Sequence, residues 1–519
     1  MERAKYAIVL TVLVASMVRL GVASPKPDFA VPARMTGVAS GSLDSTGNVV
    51  LNTNRVLNIL GQFQSITEWL YSLQTPELYQ LASNFRAVMD SLVESGSPIF
   101  QGLSNAARIS SGNITAIFGG IQRSINETIA LNDQHQASLN GTQLFLGSDG
   151  VGNFSAVLNQ LARNVANLSD VLDEIEPAIV DIQRLPRPTQ ALVDSMYPKD
   201  AVRRLNVNLQ DYVNVGTATV PQINAVVNRV RLVDAFIARL ASVGSVQQNN
   251  LNNSIRAFNG TAYNGVQLRL QSAVRAVRVS FGDAMSVASR KLRPFTVDEV
   301  DILRQVAQNS TGLLEERLSN VTQTLDVVGG RIVLHVAERS AEGVLNRTLA
   351  AVNDLAWRLT LSVTSDVPRA QTCFSRYNYE FDKIPRLVYG ALDGCGQDEG
   401  RTLQNVGAGL AGYLAVLQAQ LDAEARNYNQ CLNGLTATSA YELKLQRSVC
   451  LWGAHRFSEL IGSHMVDNQI GAFQELLEDE MRYSPARYNA CLHVTERMSV
   501  AVVIDLSNSI AKCLNETST

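Results

Sequence analysis

Apolar residues three and four positions apart recur along the chain, the spacing of one face of a helix. Val56, Ile59, Phe63, Ile66, Leu70 and Leu73 follow it, and Leu78, Leu81, Phe85, Val88 and Leu92 resume it after Thr75-Pro76. Ile114, Phe118, Ile121 and Ile125 form a third stripe. Phe154, Leu158, Leu161, Val165, Leu168, Leu172 and Ile175 form a fourth that runs to Pro177. Ile223, Val226, Val230, Val233, Ile237 and Leu240 follow Pro221, and Leu314, Leu318, Val321, Leu325, Val328 and Ile332 repeat the pattern. A sustained 3.5-residue period is the seam of coiled-coil-like helices. Gly, Pro and polar runs predict breaks at Gly96–Pro98, Gly147–Gly152, Leu185–Pro198, Val243–Asn253, Arg293–Thr296 and Gly329–Gly330. Each stripe then spans roughly 20 to 35 residues, short enough to fold back on its neighbour and bury its face that way. The pattern predicts an all-α fold of antiparallel helical hairpins, an elongated bundle with coiled-coil-like seams. Pairing of seams between chains is the alternative.

All six cysteines lie in the last part of the chain, at Cys373, Cys395, Cys431, Cys450, Cys491 and Cys513. A stripe of Leu414, Leu417, Leu421, Ala425, Tyr428 and Leu432 predicts a helix that Gly434 ends. Ser439-Ala440-Tyr441-Glu442 has the form of a capping box and starts another, which carries Trp452, Leu460, Ile470, Phe473 and Leu477. Ser484-Pro485 breaks that helix, with Pro485 in the first turn of a last helix running to Cys513. With a short helix near 372–390, residues 371–519 read as a disulfide-stapled four-helix module. Six cysteines allow 15 pairings. The helix boundaries place Cys450 about 16 Å along its helix from the Cys431 end. That disfavours a Cys431–Cys450 bridge and favours Cys450 with Cys513 and Cys395 with Cys491.

Ala425-Arg426-Asn427-Tyr428-Asn429-Gln430-Cys431-Leu432 is echoed by Ala486-Arg487-Tyr488-Asn489-Ala490-Cys491-Leu492, and Arg376-Tyr377-Asn378 follows Cys373. Through these Tyr-x-x-Cys phrases and their downstream Cys450 and Cys513, the last 150 or so residues resemble the TsetseEP-domain family of insect secreted proteins. The Glu-Pro repeat that names that family is absent here. The resemblance implies a gut or body-fluid compartment and no assigned chemical activity.

Residues 1–23 have the form of a signal peptide: Arg3 and Lys5, an apolar run from Ala7 to Val18, and Gly21-Val22-Ala23 before Pro25. The run is short for a membrane span, and a soluble, secreted, extracellular protein is expected. Secretion gives meaning to eleven Asn-x-Ser/Thr triplets, at Asn113, Asn126, Asn140, Asn153, Asn167, Asn252, Asn259, Asn309, Asn320, Asn346 and Asn515. Several fall on outward positions of the stripes. The division expected is a leader, a flexible lead at 24–47, a cysteine-free glycosylated helical region at 48–370 with a sub-boundary near 184–200, and the module at 371–519.

Apolar residues make up 46% of the chain, enough for a sizeable core, while a net charge of −3 implies no general attraction to nucleic acid. One basic cluster, Arg269, Arg275, Arg278, Arg290, Lys291 and Arg293, can meet anionic glycans or lipid headgroups. It reads more simply as the solvated face of a helix whose apolar side is Val266, Leu270, Val274, Val277 and Phe281. His455 with Glu459 and His493 with Glu496 share helix faces, but a zinc site needs three or four convergent ligands, and the spacing motifs are absent. No nucleophile elbow, phosphate loop or dinucleotide fingerprint occurs, so no catalytic residue, cofactor or metal is expected. The reading is a non-enzymatic glycoprotein that binds a protein, a cell surface or itself. A carrier of lipid or another apolar ligand, lined by Trp452, Phe457 and Phe473, is second, and a helical hydrolase third.

Overall fold

A computed structural model describes residues 45–108, 113–186, 190–293, 337–436, 438–457 and 463–516, with positions 316, 319, 320 and 323. The stripe at 314–332, the leader, residues 24–44 and Asn309 lie outside the described residues. The fold is all-α, and no strand occurs among the described residues. The helices are α1 Ser45–Thr67, α2 Pro76–Arg108, α3 Ile114–Asn140, α4 Gln143–Gln183, α5 Gln190–Met196, α6 Lys199–Ala262, α7 Arg269–Leu292, α8 Ala337–Thr364, α9 Ala370–Tyr377, α10 Glu380–Cys431, α11 Tyr441–Phe457 and α12 Ser463–Asn515. A π turn, Tyr263–Leu268, joins α6 to α7.

Several expected breaks do not occur. Pro98, Pro177, Pro221 and Pro485 all lie inside helices, of 33, 41, 64 and 53 residues respectively. The Val243–Asn253 stretch is helical too. An interior proline removes one backbone hydrogen bond and costs about 3 kcal/mol. A long helix with a buried stripe on both sides of the proline offsets that loss through packing. Three breaks are real. Pro76 opens α2, Gly147 takes φ +74 at a kink inside α4, and the 185–198 region separates α4 from α6.

The chain forms two compact units. Unit 1 holds residues 1–239, 356–376 and 513–519, and unit 2 holds 240–355 and 377–512. The units do not follow chain order, because α6 and α8 each contribute residues to both.

Unit 1 has the antiparallel hairpins that the stripes predict. Gln136 and Ser155, Asn132 and Asn159, and Gln122 and Ser169 pair α3 with α4 in opposite directions. Thr128 with Ser95 and His135 with Ser91 do the same for α3 and α2. Val56, Phe63, Phe85, Phe118, Leu158, Leu168 and Ile175 are all buried in one core. The Asp234 carboxylate accepts from the backbone N–H groups of Gln74 and Thr75, at 2.9 and 2.8 Å, just ahead of α2. A Cys373–Cys513 disulfide, with Cα atoms 5.9 Å apart, and an Arg369–Glu516 ion pair complete this unit.

Unit 2 departs from the hairpin expectation. Helices α7 and α10 run parallel. Gly265 meets Gly407, Ser280 bonds Asp422, and Asn429 donates to the Ala284 carbonyl, so both chains advance together. The buried seam of α7 is Leu270, Val274, Val277, Phe281, Met285, Ala288 and Leu292; that of α10 and its cap is Leu410, Leu414, Leu417, Leu421, Ala425, Tyr428 and Leu432. The two share one spacing, with a double step of four at Phe281–Met285 and Leu421–Ala425. Such a step unwinds a 3.5-residue seam locally, and matching steps keep both seams facing each other. Helix α12 runs antiparallel to α10, fixed by Cys395–Cys491 and by Glu399 with Arg487.

The cysteine pairing corrects two expectations. Cys395–Cys491 is formed, but Cys450 bonds Cys431 with Cα atoms 5.7 Å apart, and Cys513 bonds Cys373. The objection to Cys431–Cys450 supposed that the second helix starts level with Cys431. In fact residues 432–440 intervene, enough chain to reach roughly 30 Å, so α11 comes back alongside the end of α10. The capping box does not form either. The Ser439 hydroxyl accepts from the Thr436 backbone N–H, and the Ala440 carbonyl accepts the first bonds of α11. Among the described residues, 371–519 do hold four helices, α9 to α12, stapled by the three disulfides, but α12 begins at Ser463 and runs unbroken through Pro485 instead of starting there.

Candidate functional site

A cavity of about 470 Å³ opens in unit 2 between the end of α6, the first half of α10 and Tyr488 of α12. The α6 wall presents Asn250, Asn253, Ser254, Phe258 and Thr261; the α10 wall presents Tyr389, Leu392, Asp393, Gly396, Gln397, Arg401 and Gln404. Lining residues on α6 recur at 250, 254, 257 and 261, one face of a helix. On α10 the glycines Gly396 and Gly400 thin the opposite wall. A Cβ on Gly400 would touch Thr261 and Phe258 at 3.4 and 3.6 Å, whereas one on Gly396 would meet nothing within 4 Å and would project into open space.

Polar groups hold the walls in place. The Ser254 and Tyr389 hydroxyls lie 3.2 Å apart and bridge α6 to α10. Gln397 donates to the Asp393 carboxylate at 2.7 Å, and Arg401 to Asp398 at 3.3 Å. Phe258 and Tyr488 stack with ring centroids 5.6 Å apart and planes within 12°. Burial pushes the Tyr488 hydroxyl up to about 12, so it stays a neutral phenol at physiological pH.

Behind this face lies an ion network around one buried carboxylate. Glu399 is 5% exposed and accepts two bonds from Arg487, at 3.1 and 2.8 Å. Arg487 also donates to Glu480. Its hydrogen bonds to the Glu399 and Glu480 carboxylates raise the guanidinium's pKa further still, so its charge is permanent. The bidentate pair and the neighbouring Cys395–Cys491 bridge fix α12 against α10 one turn from the cavity. What the cavity offers is a set of amide, hydroxyl and single charged groups over a flat apolar floor. The Ser254 hydroxyl faces a phenol rather than an imidazole or carboxylate.

Two other clefts of similar size lie in unit 1. Asn153 lines one and Asn167 the other, and both are glycosylation triplets. No triplet asparagine lines the unit 2 cavity, although the triplet hydroxyls Ser254 and Thr261 do. Asn113, Asn126, Asn140, Asn153, Asn167, Asn320, Asn346 and Asn515 are exposed, and Asn252 and Asn259 are partly covered.

The residues singled out from sequence do not converge there. Arg269, Arg275, Arg278, Arg290, Lys291 and Arg293 are all exposed on the outer face of α7 and its end, as a solvated face would be. His455 packs edge-on to Trp452, and His493 lies 3.7 Å from Glu496; Glu459 is outside the described residues. Among the described residues no group of three or more His, Cys, Asp or Glu side chains could hold a metal. Phe473 belongs to the seam core and Trp452 packs against it, so neither lines the cavity. The signals for the cavity were the Asn-rich run at 249–253 and the glycines Gly396 and Gly400, which thin one helix wall. Compared with protein-family models, curated proteins and solved structures, the chain matches none.

Proposed function

We propose that this protein is a secreted glycoprotein that acts by binding, and that the unit 2 cavity takes a small ligand rich in hydrogen-bonding groups with one flat apolar face. The observation that carries this reading is the lining itself: amides and hydroxyls from two helices around the Phe258 and Tyr488 rings. The leader-like residues 1–23, the three disulfides and the TsetseEP-like phrases are in keeping with an extracellular fluid or gut lumen. No described helix is long and apolar enough to cross a membrane.

The test uses the full secreted chain from insect cells with trimmed glycans. Native mass spectra of the wild type and of Gly396→Leu are recorded beside a thermal-shift screen of neutral saccharides and aromatic amides. A Cβ at this position meets nothing within 4 Å, so the added side chain has room to grow into the cavity. A small polar mass or a stabilising ligand seen with the wild type and lost in Gly396→Leu supports the reading. A co-purifying lipid lost in the same variant moves the apolar-carrier reading to first place. Ligands that bind both proteins alike place the site elsewhere.

A further inference from the structure

We propose that α11 is the contact surface between two copies of this chain. The helix is turned inside out relative to its neighbours. Tyr441, Leu445 and Val449, one turn apart on a single stripe, are 78%, 49% and 67% exposed, while Leu451 is buried. The Cys431–Cys450 bridge holds the far flank of α11 to the end of α10, so the helix cannot roll its stripe into the core. An apolar stripe fixed outward by a covalent bond needs a cover.

The composition of that face selects the cover. Alongside the stripe are Glu442, Gln446, Gly453 and Arg456, all exposed. One acid and one base leave the face neutral, which does not suit an anionic lipid surface, whose helices carry basic flanks. It does suit the same face turned around. Helix α11 runs from 441 to 457, so full antiparallel overlap about a two-fold axis puts Val449 on the axis. In that register Glu442 of each copy faces Arg456 of the other. Leu445 faces Gly453, where a side chain would meet nothing of its own chain within 4 Å. Polarity, bulk and charge are therefore complementary in the one register that the helix ends define, as an isologous contact requires. One helix face is smaller than the ~800 Å² per partner of a standard interface, so the dimer is weak and reversible. This inference rests on α11 alone and stands or falls independently of the cavity.

Sedimentation equilibrium of the full secreted glycoprotein from about 1 μM to about 1 mM tests it. A reversible monomer–dimer equilibrium is expected. Val449→Lys sets two ammonium groups against each other on the axis and weakens it by at least about tenfold. Glu442→Arg and Arg456→Glu each weaken it by about fivefold to tenfold, because the symmetry counts every rim pair twice. The double reversal restores wild-type affinity within about threefold, which only a Glu442–Arg456 contact between copies explains. All these positions are exposed, and unchanged circular dichroism and thiol content verify each fold. A monomer throughout the range, a dimer indifferent to Val449→Lys, or a double reversal without rescue would overturn the proposal. So would flotation of the wild type, but not Val449→Lys, with phosphatidylserine-containing vesicles, which would assign the face to a lipid surface.

Discussion

Gly407 is tightly packed against the π turn, where an added Cβ would lie 2.1 Å from the Gly265 carbonyl oxygen and 3.2 Å from the Val266 Cα. Both obstacles are backbone, so no rotamer relieves them. Gly407→Ala must move α10 away from the π turn until that contact reaches at least 3.0 Å, a displacement near 1 Å. A gap of 0.5–1 Å forfeits a quarter to a half of each dispersion contact it opens. The adjoining seam residues Leu270, Val274, Leu410 and Leu414 are the first to feel it. Overpacking of this kind costs about 2–3 kcal/mol. Two positions on, Gly409 is exposed, and a Cβ there would meet nothing within 4 Å. Gly409→Ala should instead stabilise the helix by up to about 1 kcal/mol through propensity alone. The same substitution in the same helix thus has opposite signs two residues apart. Urea unfolding followed by circular dichroism measures both, and hydrogen exchange of residues 257–268 locates the effect. If Gly407→Ala unfolds within about 0.5 kcal/mol of the wild type, the parallel packing of α7 on α10 is wrong.

Asp234 is 6% exposed and is bonded to two backbone N–H groups of the turn before α2. Asp234→Ala should therefore cost unit 1 about 2–3 kcal/mol, and Asp234→Asn, which keeps an acceptor, about half that; chemical denaturation reads the difference. Burial pushes the His135 imidazole below its ordinary 6.5, so the folded protein binds its proton less readily than the unfolded chain does. Stability is then complete above about pH 6.5 and falls below it by no more than about 1.4 kcal/mol per pH unit. His135→Gln should remove that part of the slope in melts between pH 7.5 and 5. The disulfides span 140, 96 and 19 positions. Double-serine replacement should destabilise in that order, from about 5 kcal/mol for Cys373–Cys513 to about 3 for Cys431–Cys450, if unfolded-chain entropy dominates. Equal losses would mean that native contacts rather than loop length set the effect.

Which residues are buried was legible in the sequence, because that depends on local periodicity. Phe63, Phe85, Phe118, Leu158, Leu168, Val230, Leu270 and Leu417 were placed on stripes and all lie in cores. The all-α class, the start of α2 at Pro76 and the end of α10 before Gly434 follow from the same local rules. What a stripe cannot say is which other stripe it meets or in which direction. Seams of Val and Leu are interchangeable, so hairpins were expected throughout, and the parallel α7–α10 pair came only from the folded chain. The prolines misled for a related reason. Their cost is local, but it is offset by packing along 33 to 64 residues of helix, which no window of sequence contains. Cys431–Cys450 depended on where a nine-position connection leads, and the cavity on two helices that lie more than 130 positions apart in sequence at Ser254 and Tyr389. The sequence determined the helices and their inward faces. Tertiary structure alone decided their partners, their directions and where a cavity opens between α6 and α10.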